Sequence, residues 1–328
     1  MKRAWIVVLV ISLLVFSASW VVAQEAKPAE GMYFRLVTHG GDDPFWAVVQ
    51  KGANDAAKEL GCRVDIDLCG GDLALQQKRF QEAVALKPQG IALVINDDTA
   101  WDKPVEDALA QGIPVIGMNN DDSQGAAGNA RLCYIGQSEK AAAYRLARKL
   151  FDTAKAKGID LSKAHVVMAA EVPGANYAKI RSSGVIEAMG EYGITSYEII
   201  DAGGLEMTTV EARETSYLLA HPETTFLIGL GGICTDRLTA SLKAAGRNPG
   251  EVIAGGFDTT PDTLNGIREG YITATIDQQQ YLQGYFAVYV LYLYNKYGFT
   301  PNIDTGGYLV DSPDKIALIE KLSPLHVR

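Results

Sequence analysis

Short apolar runs recur along this chain, and each gives way to a polar turn and then to a stretch with helical spacing. The runs predict strands at Tyr33–Thr38, Arg63–Leu68, Ile91–Ile95, Val115–Met118, Val166–Ala170, Tyr197–Ile200, Phe226–Leu230, Val252–Gly255 and Ile272–Ile276. Several are apolar on both faces, as parallel strands covered by helices on each side must be. Phe45, Val48, Val49, Gly52, Ala53, Ala56, Ala57 and Leu60 recur with a 3.6-residue period, while Gln50, Lys51, Asn54, Asp55, Lys58 and Glu59 take the opposite face. Asp43 is placed as the N-cap of that helix, Pro44 as its first residue and Gly61 as its stop. Asp72 caps the next helix, which Pro88 stops, and Thr260 caps one that begins at Pro261. Strand and helix alternate, so the fold class is α/β with right-handed crossovers. The rhythm pauses at Tyr134-Ile135-Gly136-Gln137 and restarts at Val166. That break predicts two Rossmann-like parallel-sheet lobes of similar size.

The start of the chain follows another pattern. Lys2 and Arg3 precede an almost wholly apolar Ala4–Val22, and Val21-Val22-Ala23 is a small-residue cleavage site. An export signal is expected, with cleavage near Ala23 and a mature protein that is periplasmic or secreted. No Cys stands near the junction to carry a lipid anchor. Of 328 residues, 23 would be removed, leaving 305. That length suits two domains. Loss of Lys2 and Arg3 reduces 30 basic residues to 28, against 39 acidic ones. The balance is acidic and no basic stripe appears, which argues against nucleic acid. The later apolar stretch Tyr281–Tyr294 is too short to span a bilayer. Cys62 and Cys69 flank one strand of roughly 20 Å and are too far apart to bond. A bridge between Cys133 and Cys234 stays open.

The chemistry gathers at three polar strand ends: Thr38-His39-Gly40-Gly41-Asp42-Asp43-Pro44-Phe45-Trp46, Gly256-Phe257-Asp258-Thr259-Thr260, and Thr275-Ile276-Asp277-Gln278-Gln279. In open parallel sheets this edge is where ligands bind. Carboxylates and amides make directed hydrogen bonds to hydroxyls, and flat aromatic rings cover the apolar face of a sugar. The glycines of Gly229-Leu230-Gly231-Gly232 and Gly255-Gly256 form no complete dinucleotide or phosphate motif. His39, His165, His221 and His326 form no metal-ligand spacing, and no nucleophile motif appears. Neither a catalytic nor a metal residue is assigned.

These residues resemble the type I periplasmic sugar-binding proteins, the ribose- and galactose-binding group that feeds ABC importers. The likeness runs from about Tyr33 to Val310 and rests on the order and spacing of several segments. They are Asp43-Pro44-Phe45-Trp46, Ile95-Asn96, Gly112-Ile113-Pro114-Val115-Ile116, Tyr134-Ile135-Gly136-Gln137, Gly256-Phe257-Asp258 and Thr275-Ile276-Asp277-Gln278. The resemblance implies two lobes joined by three hinge crossovers, near Gln137, near Gln278 and between Pro301 and Gly306. A last strand, Gly307–Val310, would return to the second lobe. The N-terminal lobe would comprise residues 24–136 and 279–304, and the C-terminal lobe 137–278 and 305–328.

The implied ligand contacts are Asp43, Phe45, Trp46, Asn96, Asn119, Asn120, Gln137, Lys179, Asp258 and Gln278. Ribose-binding members have an amide and two Phe where Asp43, Phe45 and Trp46 stand, and Asp-Arg where Asn119-Asn120 stand. A ligand-binding Arg falls at Lys179, with Arg181 two residues on, and a ligand Asn falls at or near Gly231, which offers no side chain. The expected function is capture of a neutral monosaccharide or polyol between closing lobes, with delivery to the membrane subunits of an ABC importer. No cofactor is called for, and the protein is expected to be a monomer. The alternatives are a ligand sensor docking on a chemoreceptor or sensor kinase, and a periplasmic sugar enzyme.

Overall fold

The computed structural model describes residues 26–328; the expected export signal lies outside the described residues. Two six-stranded sheets form, each flanked by helices. The first contains β1 (Tyr33–Thr38), β2 (Arg63–Leu68), β3 (Gly90–Leu93), β4 (Val115–Asn119), β5 (Tyr134–Gly136) and β11 (Ile303–Asp304), in the order β11-β5-β4-β3-β1-β2. The second contains β6 (His165–Ala170), β7 (Ser196–Asp201), β8 (Thr224–Gly229), β9 (Ile253–Phe257), β10 (Ile272–Asp277) and β12 (Tyr308–Val310), in the order β12-β10-β9-β8-β6-β7. Only β12 runs antiparallel to its neighbour among the described strands, Thr275 facing Val310. The two lobes and the doubly wound topology are those the βα rhythm predicts.

Helices α1 (Pro44–Leu60), α2 (Leu73–Ala85) and α3 (Asp102–Ala110) cover the first sheet, together with α9 (Gln280–Tyr297). The second sheet carries α4 (Glu139–Ala156), α5 (Asn176–Tyr192), α6 (Met207–Ala220), α7 (Gly232–Ala244), α8 (Pro261–Arg268) and α10 (Pro313–Leu322). The caps are those expected. Asp43 accepts from Trp46 N, Asp72 from Leu75 N and Thr260 Oγ1 from Thr263 N, and Gly61 ends α1 in the left-handed region at φ 78°. The Asp43, Asp72 and Thr260 side chains each satisfy a backbone N–H that the first helical turn leaves unpaired, and the Gly61 N–H donates to the Ala57 carbonyl at the other end.

The chain passes between the sheets three times: at Gln137-Ser138 from β5 to α4, at Gln278-Gln279 from β10 to α9, and at Thr305–Gly307 from β11 to β12. All three lie at the β5/β11 and β10/β12 edges, so the C-terminal ends of the remaining strands face one another across a cleft. Among the described residues no helix is long and apolar enough to cross a membrane. All four cysteines are free thiols. Cys133 belongs to the core of the first lobe and Cys234 to that of the second, so the bridge left open by the sequence does not form.

Candidate ligand-binding cleft

In the second lobe the cleft is built on one buried cation. Arg181 sits on α5 among Ala178, Ser182 and Val185, the face that spacing of three and four residues turns inward. Its Nε donates to Glu139 Oε2 at 2.5 Å and its Nη2 to Glu139 Oε1 at 2.9 Å, a bidentate pair. Nη1 donates to the Leu230 carbonyl at 2.7 Å, Nη2 also to Gln278 Oε1 at 3.2 Å, and the guanidinium lies 4.0 Å from the Phe257 ring centroid. Lys179, the cation chosen from the sequence, stands on the exposed side of the same helix. Arg181 takes the cleft position instead.

Asp258 follows β9 with φ 72°, a left-handed conformation that a non-glycine residue adopts at a cost. Its N–H donates to the Ile276 carbonyl, and Thr275 Oγ1 donates to the Asp258 carbonyl at 2.7 Å, so neighbouring β10 holds it there. Gln278 Nε2 donates to Asp258 Oδ1 at 2.6 Å. Oδ2 lies over Gly232, where an added Cβ would come within 2.3 Å. Gln137 is buried and donates to Glu139 Oε2 at 2.7 Å. Gln137, Glu139, Arg181, Gln278 and Asp258 therefore form one hydrogen-bonded chain across the second lobe.

Glu171 was not read from the sequence. It follows β6 directly, accepts from Cys234 N at 2.9 Å and from the Tyr177 hydroxyl at 2.8 Å, and is buried. Its carboxylate fills the space over Gly231, where a Cβ would stand 2.1 Å from Oε2. The glycine that seemed to leave a polar position empty makes room for this acid. The signal available was a charged residue immediately after the apolar run Val166–Ala170.

The first lobe contributes strand ends too. Asp43 is exposed at the start of α1, and Phe45 is half-buried. Trp46 is 5% exposed: its indole packs on Gly40, whose missing Cβ would lie 2.2 Å away, and meets the rings of His39 and Phe45 edge-on at 5.4 Å. It is largely core. Asn96 Oδ1 accepts from the buried Trp101 indole at 3.0 Å, which fixes its orientation. Asn119, at φ 63°, turns toward the crossovers and donates to Gln283 Oε1 at 3.0 Å. The Asn120 amide has no hydrogen-bond partner among the described residues, although the residue is 6% exposed. Beyond it, Arg131 is bound through Nε to Asp121 at 2.6 Å.

The crossovers pack against one another beneath these groups. Gln283 Nε2 reaches the Gln278 carbonyl at 3.3 Å and Thr305 Oγ1 at 3.4 Å, and Thr305 Oγ1 donates to the Gln278 carbonyl at 3.0 Å. Gly306 accepts the Gln137 side chain where a Cβ would stand 2.2 Å from Cγ. Two shallow surface hollows, on α6 and beside Lys27, hold none of this chemistry.

The cleft is acidic. Arg131 and Arg181 are each paired with a carboxylate, which leaves Asp43, Glu171 and Asp258 without a compensating cation in direct contact. Burial pushes the Asp258 carboxyl up to about 7, against the opposing pull of Arg181. Its folded value lies above its unfolded one, so its stabilising contribution is present at low pH and is lost as pH rises through about 7. A hydroxyl that donates to this carboxylate favours the charged form. Ligand binding at about pH 6 is therefore expected to release a proton, read by calorimetry in buffers of different ionisation enthalpy. Asp258→Asn should abolish the release, and a parent protein that binds without any release would remove Asp258 from the contact set.

Residues 34–297 match the model of the periplasmic binding protein domain family. The xylose/arabinose-binding protein of Sulfolobus acidocaldarius is 29% identical over 290 residues, covering 84% of this chain and 70% of its own. The ribose import binding protein of Bacillus subtilis is 27% identical over 303 residues, 88% of this chain and 91% of its own. A carbohydrate transporter structure from Acidothermus cellulolyticus, solved in complex with myo-inositol, is similar with a TM-score of 0.78 and 26% identity, covering 90% of this chain and 99% of its own. The family match begins in the first strand and ends with the helix that follows the second crossover, so it takes in both sheets and the cleft between them, and the chain belongs to the type I periplasmic binding proteins.

Proposed function

We propose that this protein captures a neutral monosaccharide or related polyol between its two lobes and delivers it to an ABC importer. The observation that carries the reading is the paired cation. Arg181 is paired with Glu139, so among the described residues the cleft offers carboxylates and amides and no unpaired buried cation for an anion. A phosphate or carboxylate on the ligand would meet like charge in a partly desolvated site. A polyol can donate to every acceptor. The named ligands of the relatives, xylose, arabinose, ribose and myo-inositol, support the same class. The family is one of binding proteins, not of enzymes.

The contact set we favour is Asp43, Phe45, Asn96, Asn120, Gln137, Asp258 and Gln278, with the edge of Trp46, Arg181 in place of Lys179, and Glu171 added. Asn119 acts through the crossovers. Residues 24–136 with 279–304, and 137–278 with 305–328, would move as the two bodies of the clamp, hinged at the three crossovers. The protein would work as a monomer outside the cytoplasmic membrane, after loss of a signal ending near Ala23.

A thermal-shift screen tests this. D-xylose, L-arabinose, D-ribose and myo-inositol form one arm, and ribose 5-phosphate and galacturonate the other. A ligand at a hundred times its Kd stabilises by about 2.7 kcal/mol, a rise on the order of 5 °C or more for a chain of this size. At least one neutral compound should give such a rise and neither anion should. A rise with an anion alone would overturn the assignment.

A further inference from the structure

Among the described residues, hydrogen bonds also join the two lobes away from the crossovers. Asn176 opens α5 in the second lobe, on the loop after β6, which β8 and β9 separate from the hinge strand β10. Its Nδ2 donates to Asp98 Oδ1 at 2.7 Å and approaches the Asp121 carbonyl at 3.4 Å, both in the first lobe. Asn176 is 1% exposed. The acceptor is fixed in advance: Ser123 donates to Asp98 through its N–H and its hydroxyl, both at 2.8 Å, and Arg131 holds Asp121. The N–H groups of Thr99 and Ala100 hold the Asp97 carboxyl below the usual range, and Lys179, from the other lobe, adds to the effect.

We propose that Asn176 and Asp98 form a latch that holds the clamp shut with no ligand in the cleft. This rests on the two-lobe clamp described above, but it adds something the clamp does not require. Neither side chain belongs to the chain of groups that would grip a sugar. A hydrogen bond to a charged acceptor is stronger than one between neutral groups. Placed far from the hinge strands, it also opposes opening with a long lever arm. Asn176 is therefore a positioning residue. It sets how much of the empty protein is closed, and so what fraction must open before a ligand can enter or leave.

The test is small-angle scattering of the ligand-free protein. The parent should scatter as a compact, closed particle. Asn176→Asp places a carboxylate against Asp98 and should lower the closed-to-open ratio by well over tenfold, with a rise in radius of gyration. Asn176→Ala should lower it by about tenfold. Asn176→Asp combined with Asp98→Ala removes one of the two facing carboxylates and should be less expanded than Asn176→Asp alone, which a merely structural defect at position 176 would not allow. Superimposable curves for parent and Asn176→Asp would overturn the latch, as would a double variant as expanded as the single one. The sugar screen fails separately. If the scattering behaves as stated and no sugar binds, the ligand assignment falls and the latch stands. If a sugar binds and the curves coincide, the reverse holds.

Discussion

Arg181→Met is expected to destabilise the protein by about 3–5 kcal/mol, the range for removing one partner of a buried ion pair. The side chains of Arg181 and Glu139 are 5% and 6% exposed, and the guanidinium makes four hydrogen bonds, to both oxygens of Glu139, to Leu230 and to Gln278. Removing it strands the Glu139 carboxylate in the interior and takes away the charge that opposes the upward shift of Asp258. The loss includes the stacking of the guanidinium over the Phe257 and Tyr177 rings, 4.0 and 5.3 Å from their centroids, which Met replaces only with apolar contact. The control is Arg181→Met with Glu139→Leu. Deleting both charges leaves no unpaired charge in the interior, although the Gln137 amide, the Leu230 carbonyl and Gln278 Oε1 each lose a partner, so the double variant should be more stable than Arg181→Met alone. Urea unfolding midpoints read both. A single variant within about 1 kcal/mol of the parent would mean that water reaches the pair.

This pair also marks where the sequence stops being readable. The strands were legible because parallel strands buried on both faces are apolar throughout. The caps at Asp43, Asp72 and Thr260 were legible because a cap is a contact over three residues. The short strands β5 and β11, three and two residues long, have too few positions to show any period, and only the motif around Tyr134–Gln137 pointed to the first. Lys179 and Arg181 are two residues apart on one helix, and the three- and four-residue spacing of Ala178, Arg181 and Val185 was the local signal that Arg181 turns inward. Its partner Glu139 is 42 residues away and carries no local signal. Glu171 was missed because its place over Gly231 depends on the start of α7 meeting the end of β6. Asn176 and Asp98 lie 78 residues apart and in different lobes. In the runs Asn96-Asp97-Asp98 and Asn119-Asn120-Asp121-Asp122, Asn96, Asn119 and Asn120 were picked out only through the family resemblance. The reading stopped at the first residues of each run, and the cross-lobe acceptors are the later ones.

The other large effect is expected where no ligand chemistry exists. Helices α1 and α9 cross at two glycines. A Cβ on Gly284 would stand 1.9 Å from the Val49 carbonyl oxygen, and one on Gly52 would stand 2.0 Å from that of Tyr281. Both obstacles are backbone, which no rotamer change can move aside. Gly284→Ala must push the helices apart and unpack the layer beneath them, where Val49, Ala53, Ala287, Val288 and Leu291 are buried. Overpacking of this kind costs about 1–3 kcal/mol and sometimes more, and the intrinsic gain of Ala over Gly in a helix returns only about 1 kcal/mol. Because the obstacle is backbone the upper end of the range applies, and a net loss of about 2 kcal/mol is expected on urea unfolding. Gly52→Ala should cost a similar amount, and the two together less than their sum, because helices already separated by one methyl leave room for the second. The seam also bears on the clamp. α9 starts at the second crossover, and α1 carries Asp43 and Trp46 at its cleft end, so the glycine crossing fixes the hinge to the first lobe's share of the site. Gly284→Ala should thus weaken ligand affinity as well as stability, although it lies outside the contact set. Additive losses in the double variant would show that each glycine meets its own obstacle and that the two helices do not share one spacing.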